Sequence, residues 1–227
     1  MSTVVGTTFK AYMTDIPPGA SLNQATTALL LFDFLNGHVK TGGAATTARY
    51  RPVIAAATAV LGAARAQRMM VAYANANHRA DNATTASTLR DTDNRLRPMD
   101  RLAPAAFHPV VAGGTWAAQV VDELAPAAED YLVPKYRWSA FFQTYLDLAL
   151  RTRKIDTLIL AGGSTDVGIA STAFAARDLD YNLIIVSDAC TSPEQDNHDQ
   201  FIRRIFPRMA RVRTAAEVVG MLAAPTC

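Results

Sequence analysis

The chain has 227 residues, half of them hydrophobic, with 22 basic and 20 acidic side chains and a formal net charge of +2. That length can bury one sizeable core, and the near-balanced charge, with no basic block, argues against a nucleic-acid partner. No apolar run reaches the ~18 residues of a membrane span, and two widely separated cysteines, Cys190 and Cys227, argue against a disulfide framework and for a cytoplasmic location.

Residues 1–25 read as a polar arm broken at Pro17-Pro18-Gly19, without the basic and apolar regions of a secretory signal. Residues 26–227 read as the folded domain. "TALLLFDF" (Thr27 to Phe34) is a continuous apolar run, as in a strand buried on both faces. Thr46 to Arg68 is alanine-rich, with Val53, Ile54, Val60 and Leu61 at helical spacing and Pro52 near the expected start. "MMVAYAN" (Met69 to Asn75) reads as the second strand. From His78 to Gly114 the chain is polar and Pro-punctuated, a long loop of the kind that carries function or moves.

"TWAAQVVDEL" predicts a short helix and "DYLVPKYR" (Asp130 to Arg137) a short strand. Ser139 to Arg153 predicts a helix with Phe141, Tyr145 and Leu148 on one face. Then follow strand "DTLILAG", helix "VGIASTAFAARD", strand "YNLIIVSD", a helix around "EQDNHDQFIRRIF" and the strand "MARVR". The last helix opens with Thr214 and Glu217, spaced as a capping box. Alternating strands and helices imply right-handed crossovers. The expected architecture is an α/β three-layer sandwich, a Rossmann-like, mostly parallel six-stranded sheet with helices on both faces.

In such a sheet ligands bind beyond the carboxyl ends of the strands. That directs attention to Asp33, Asn75, Asn77, Lys135, the 162–168 turn and Asp188. Gly163 to Gly168 has the glycine spacing of a phosphate-binding loop, but Ile169 and Ala170 stand where its Lys and Ser/Thr belong. What remains is a glycine turn feeding a helix N-terminus, suited to negative charge. Asp33 reads either as a strand-end cap or as a general acid or base whose pKa burial would raise. Lys135 reads as solvated, or as a partner for Asp33 if their strands are neighbours. His38, His78, His108 and His198 are dispersed, without metal-site spacing, and no metal or cofactor is expected. Cys190 reads as a small buried hydrophobe.

Three segments carry a family resemblance: "ALLLFDFLNGHV", "GTWAAQVVDELAPAAEDYLVPKYRWSAFFQTYLDLALR" and "IDTLILAGGSTDVGIASTAFAARDLDYNLIIVSDACTS". Together, in order and spacing, they resemble the isochorismatase-like hydrolase superfamily, which includes cysteine hydrolases such as nicotinamidases and carbamoylsarcosine amidases. The family's Asp–Lys–Cys triad falls on Asp33, Lys135 and Gly168 of this sequence. Gly168 has no thiol to attack with. Isochorismatases proper also have glycine there and hydrolyse a vinyl ether with the aspartate as proton donor, but their turn resembles Y-A-H-V-G, whereas this one reads "STDVG", with Ser164 in place of the tyrosine. The nicotinamidase metal pattern is not matched by "NANHRADN".

The resemblance implies a hydrolase of a small metabolite, working without cysteine through Asp33 with support from Lys135, on a vinyl-ether or C–N bond. The oxyanion-binding turn would be Gly163, Ser164, Thr165 and Gly168. Two other readings stand beside it. One is a ligand-binding protein on the same scaffold. The other is an amidase recruiting Ser164 or Thr165, for which the sequence shows no base. Phe34, Tyr136, Trp138 and Phe107 would line a pocket or fill the core. Asn75, Asn77, Arg79 and Arg137 are polar candidates, with Arg79 or Arg137 available to a substrate carboxylate. A homo-oligomer, dimer or tetramer, is implied by the resemblance only.

Overall fold

The computed structural model describes residues 21–81, 83–85 and 111–224. Most of the polar arm, most of the long loop with Phe107 and His108, and Cys227 lie outside those residues. Six strands form one sheet: β1 (Thr27–Phe32), β2 (Met70–Ala76), β3 (Tyr131–Lys135), β4 (Thr157–Gly163), β5 (Asn182–Thr191) and β6 (Arg211–Arg213). Their order is β3-β2-β1-β4-β5-β6. Every pairing is parallel, so the sheet is wholly rather than mostly parallel.

β1 is buried along its whole length, as its unbroken apolar run requires, and the short helix α1 (Asn36–Val39) follows it. Alternate residues serve opposite layers. Leu29 and Leu31 pack with Val53, Val60 and Leu61 of α2 (Gly43–Ala66) and with Val218 and Leu222 of α6 (Ala215–Ala223). Leu30 and Phe32 pack with Leu146 and Leu150 of α3 (Leu146–Thr152) and with Ala170 and Ala173 of α4 (Ala170–Asp178). Gly162, at the end of β4, has φ +144°, and a Cβ there would overlap the Phe32 carbonyl. Only glycine lets β4 approach β1 this closely at the end of both strands.

Several local expectations are corrected. α2 begins at Gly43, so Pro52 lies inside it, on a solvent-exposed face. "TWAAQVVDEL" is not a helix but two 3₁₀ turns, Trp116–Ala118 and Asp122–Leu124. Between them Val120 bridges Leu35, and the Val121 N–H donates to the Phe34 carbonyl at 2.9 Å. Pairing with the exit of β1 thus overrides the local helical pattern. The helix expected from Ser139 starts only at Leu146. The preceding residues are held in turns, with Gln143 at φ 54° and the Thr144 hydroxyl accepting from the Leu146 N–H. Of the expected face, Tyr145 and Leu148 are exposed, while Leu146 and Leu150 do the packing. The helix α5 (Gln195–Gln200) widens into a π turn at Phe201–Ile205. The capping box at Thr214 and Glu217 is present as expected.

No helix among the described residues is long and apolar enough to cross a membrane.

Candidate active site

The strand order reverses between β1 and β4, so a crevice opens where the chain leaves these two strands. A cavity of about 360 Å³ lies there, lined by Phe32, Asp33, Lys135, Gly163, Ser164 and Gly168 among others.

Asp33 is the first residue past β1. It adopts φ 52°, a left-handed conformation that aspartate tolerates better than most residues. Its Oδ1 accepts the Ala76 N–H at 2.7 Å and its Oδ2 accepts the Lys135 ammonium at 2.6 Å. Both side chains are almost fully buried. Lys135 meets Asp33 although their strands are not neighbours, since β2 lies between β1 and β3. Lys135 pairs with Ala76 across the ladder. The small alanine leaves a path over which the lysine reaches the carboxylate. A buried ion pair with an added backbone donor is how a protein keeps two charges out of water.

Gly168 lies in the Thr165–Ile169 π turn that opens into α4. A Cβ on it would overlap the Phe32 ring, 2.6 Å from Cζ. The same ring lies under the Lys135 ammonium, 4.3 Å from its centroid, within cation–π range. The aromatic ring therefore fills the space that a side chain at position 168 would need.

Ser164 borders the cavity and donates a hydrogen bond to the Asp166 carboxylate. Asp166 also accepts from the Ser192 hydroxyl at 2.6 Å and the Asn197 amide at 2.8 Å. Partial burial alone would raise the pKa of Asp166. The hydrogen bonds from Ser164, Ser192 and Asn197 outweigh it and hold the carboxyl below the usual range. A basic group does therefore stand beside Ser164, unseen in the sequence, but it is a weak one. Thr165 is buried and does not line the cavity; its hydroxyl pairs with His198 Nδ1 at 2.9 Å. Cys190 is buried within β5, and burial pushes its thiol up to about 12, so it carries no thiolate.

The remaining expected residues divide. Arg137, Tyr136 and Trp138 line the cavity. Phe34 does not; it is buried in the α2–α6 layer, because the residue after Asp33 points to the other side of the sheet. Asn75 does not line the cavity either, while its neighbour Ala76 does. The Asn77 side chain sits against Gly113. Arg79 is exposed and bound to Asp81 at 2.6 Å. Asp188 accepts the Ala215 N–H at 2.7 Å, at the start of α6. Sequence reasoning missed Arg49 and Tyr50, which reach the cavity from α2, as well as His38 and Pro193. The Tyr50 hydroxyl lies against Gly163, and burial pushes its phenol up to about 12. Among the described residues no group of three His, Cys, Asp or Glu gathers as a metal site.

Comparison with known proteins decides the kinship. The isochorismatase domain model matches residues 27–217. The chain belongs to the isochorismatase family. By that membership it is an isochorismatase-like hydrolase. It is 34% identical over 201 residues to the isochorismatase family protein YecD of Escherichia coli O157:H7, spanning 88% of this chain and 98% of the relative. It is 34% identical over 181 residues to the ureidoacrylate amidohydrolase RutB of Stutzerimonas stutzeri, spanning 76% of this chain and 73% of that protein. Among solved structures, an isochorismatase family protein from Burkholderia thailandensis superposes with a TM-score of 0.75 at 29% identity, covering 90% of this chain and 99% of the other.

Proposed function

We propose that this isochorismatase-like hydrolase cleaves a small molecule by acid–base chemistry at Asp33, without a covalent enzyme intermediate. The observation that carries this reading is the Asp33–Lys135 pair, which opens on the cavity while Phe32 fills the place beside Gly168. An enzyme with no nucleophile must use water. For a C–N bond the Asp33 carboxylate takes a proton from the attacking water and returns it to the leaving nitrogen; for an enol ether the order reverses, the protonated Asp33 giving its proton to the vinyl carbon and recovering one from the water that captures the oxocarbenium ion. Lys135 holds Asp33 in place and balances its charge. The positive end of the helical segment entered at Ser164 and Thr165 faces the negative charge that develops on the substrate.

Ser164 is a poorer choice of nucleophile, since the carboxylate beside it is held below the usual range and already accepts three hydrogen bonds. Kinship with a ureidoacrylate amidohydrolase puts the C–N bonds of ureas and amides first among candidate bonds.

The test is turnover of a panel of ureas, amides, vinyl ethers and esters, followed by product mass. The wild type is expected to turn over at least one member, and Asp33→Asn to lose 10²-fold or more, on the order of the contribution of a positioned acid or base. Turnover that survives in Asp33→Asn would refute the mechanism. A ligand bound tightly and recovered unchanged across the panel would favour a binding protein on this scaffold.

A further inference from the structure

The charges lining the cavity do not balance. Its wall carries three basic side chains, Arg49, Lys135 and Arg137, and one carboxylate, Asp33. Lys135 and Asp33 neutralise each other at 2.6 Å. Two guanidiniums remain, always charged at physiological pH, and neither has a carboxylate partner among the described residues.

Arg49 is half-buried, and its Nε is fully shielded from solvent with no hydrogen-bond partner. Its guanidinium carbon lies 5.5 Å from the Tyr50 ring centroid. The shielded Nε is closed to a ligand, so Arg49 can contact one only through its two terminal nitrogens, which hold no carboxylate among the described residues. Arg137 commits Nη1 to the carbonyls of Thr84 and Tyr136, which fixes the guanidinium and leaves Nη2 and Nε without a protein acceptor among the described residues. Tyr50 adds a neutral hydroxyl donor at the same cavity, because burial keeps its phenol protonated.

We propose that this cavity selects a small ligand bearing a carboxylate, which Arg49 holds through its two terminal nitrogens, with Tyr50 and Arg137 as supporting donors. A planar fork of N–H groups matches a carboxylate in two bonds at once. Arg49 and Tyr50 are consecutive on α2, which spans the sheet beside the Asp33 crevice. A ligand anchored there extends its uncharged part towards Asp33. The site would recognise a carboxylate even if no bond were broken at Asp33.

The experiment is equilibrium binding to the whole protein. Trp138 lines the cavity and Trp116 does not, so Trp138 fluorescence in a Trp116→Phe background reports occupancy, with calorimetry in parallel. Acetate, maleate and benzoate are titrated against acetamide, maleamide and benzamide at neutral pH and low salt. At least one carboxylate is expected to bind about tenfold tighter than its amide, as for one charge-assisted contact in a partly open site. Arg49→Gln is expected to lower that carboxylate's affinity about tenfold and leave the amide's unchanged, with Arg49→Lys in between. The wild-type comparison needs no variant to fold, and a melting curve checks each variant. The proposal falls if no carboxylate outbinds its amide, or if Arg49→Gln keeps wild-type carboxylate affinity. Carboxylate binding without any turnover would count against the acid–base mechanism and leave this site standing. Turnover of neutral molecules without carboxylate preference would do the reverse.

Discussion

The ring of Phe32 lies where the first side-chain carbon of residue 168 would go, 2.6 Å from Cζ. The glycine and the phenylalanine are therefore one feature, and changing either alone leaves a clash or a hole. Gly168→Cys is expected to destabilise the protein by about 1–3 kcal/mol, the usual cost of overpacking a core. Phe32→Val alone leaves a void and costs a similar amount. The double variant should be more stable than the sum of the singles by about 1 kcal/mol, since each change relieves the other. Urea denaturation measures the cycle, and strict additivity would contradict the packing argument. In a Cys227→Ser background the variants carrying Gly168→Cys should gain a thiol that iodoacetamide modifies, while the parent should not, because Cys190 is buried with its thiol pushed up to about 12.

This pairing also shows what a sequence can and cannot reveal. Asp33, Lys135 and the 163–168 turn stand at strand ends, and strand ends are legible because apolar runs stop there. The parallel sheet follows from the alternation of such runs with helical patterns. Arg49 and Tyr50 were not legible. They lie in the first third of an alanine-rich helix, and only the packing of α2 across the sheet brings them to the cavity. Phe34 misled in the opposite sense. It adjoins Asp33 in sequence, but the backbone sends it into the other layer. The helices expected at Thr115 and Ser139 failed where side chains and neighbouring strands captured backbone groups that a helix would have used.

The Asp33–Lys135 pair separates stability from chemistry. Lys135→Met leaves a buried carboxylate with one backbone donor, and a cost of about 3–5 kcal/mol is expected. Asp33→Asn strands the ammonium at comparable cost. Asp33→Asn combined with Lys135→Met removes both charges and should recover most of the loss, while remaining inactive. Denaturation midpoints and turnover on the same three proteins check this. A double variant no more stable than Lys135→Met would mean that the pair is not coupled as the 2.6 Å contact requires.

Ser164 offers a sharper discrimination between water and a side-chain nucleophile. Its hydroxyl lies at the cavity and donates to Asp166. If Ser164 only orders the turn, Ser164→Ala should slow turnover by about tenfold or less, roughly the value of one hydrogen bond. If it attacks the substrate, the loss should be several powers of ten. Mass spectrometry of the quenched reaction should then show an adduct on the peptide containing Ser164. We expect the small effect and no adduct.

His198 gives a pH dependence with a definite sign. Burial lowers its pKa, the charge of Arg203 adds to the lowering, and Asp199 and Asp166 oppose it. Its Nδ1 meets the Thr165 hydroxyl at 2.9 Å, which ties α5 to the turn carrying Gly168. A folded-state pKa below the unfolded value of about 6.5 means that the unfolded chain takes up the proton first. The contribution of His198 to stability is therefore complete above about 6.5 and is lost as pH falls through the lower, folded-state pKa. His198→Gln cannot titrate. Between pH 7.5 and 5.5 the urea midpoint of the wild type should fall more steeply than that of His198→Gln, measured in the same buffers. Parallel slopes would show that the imidazole titrates alike in both states, and a steeper fall in the variant would reverse the sign derived from its burial.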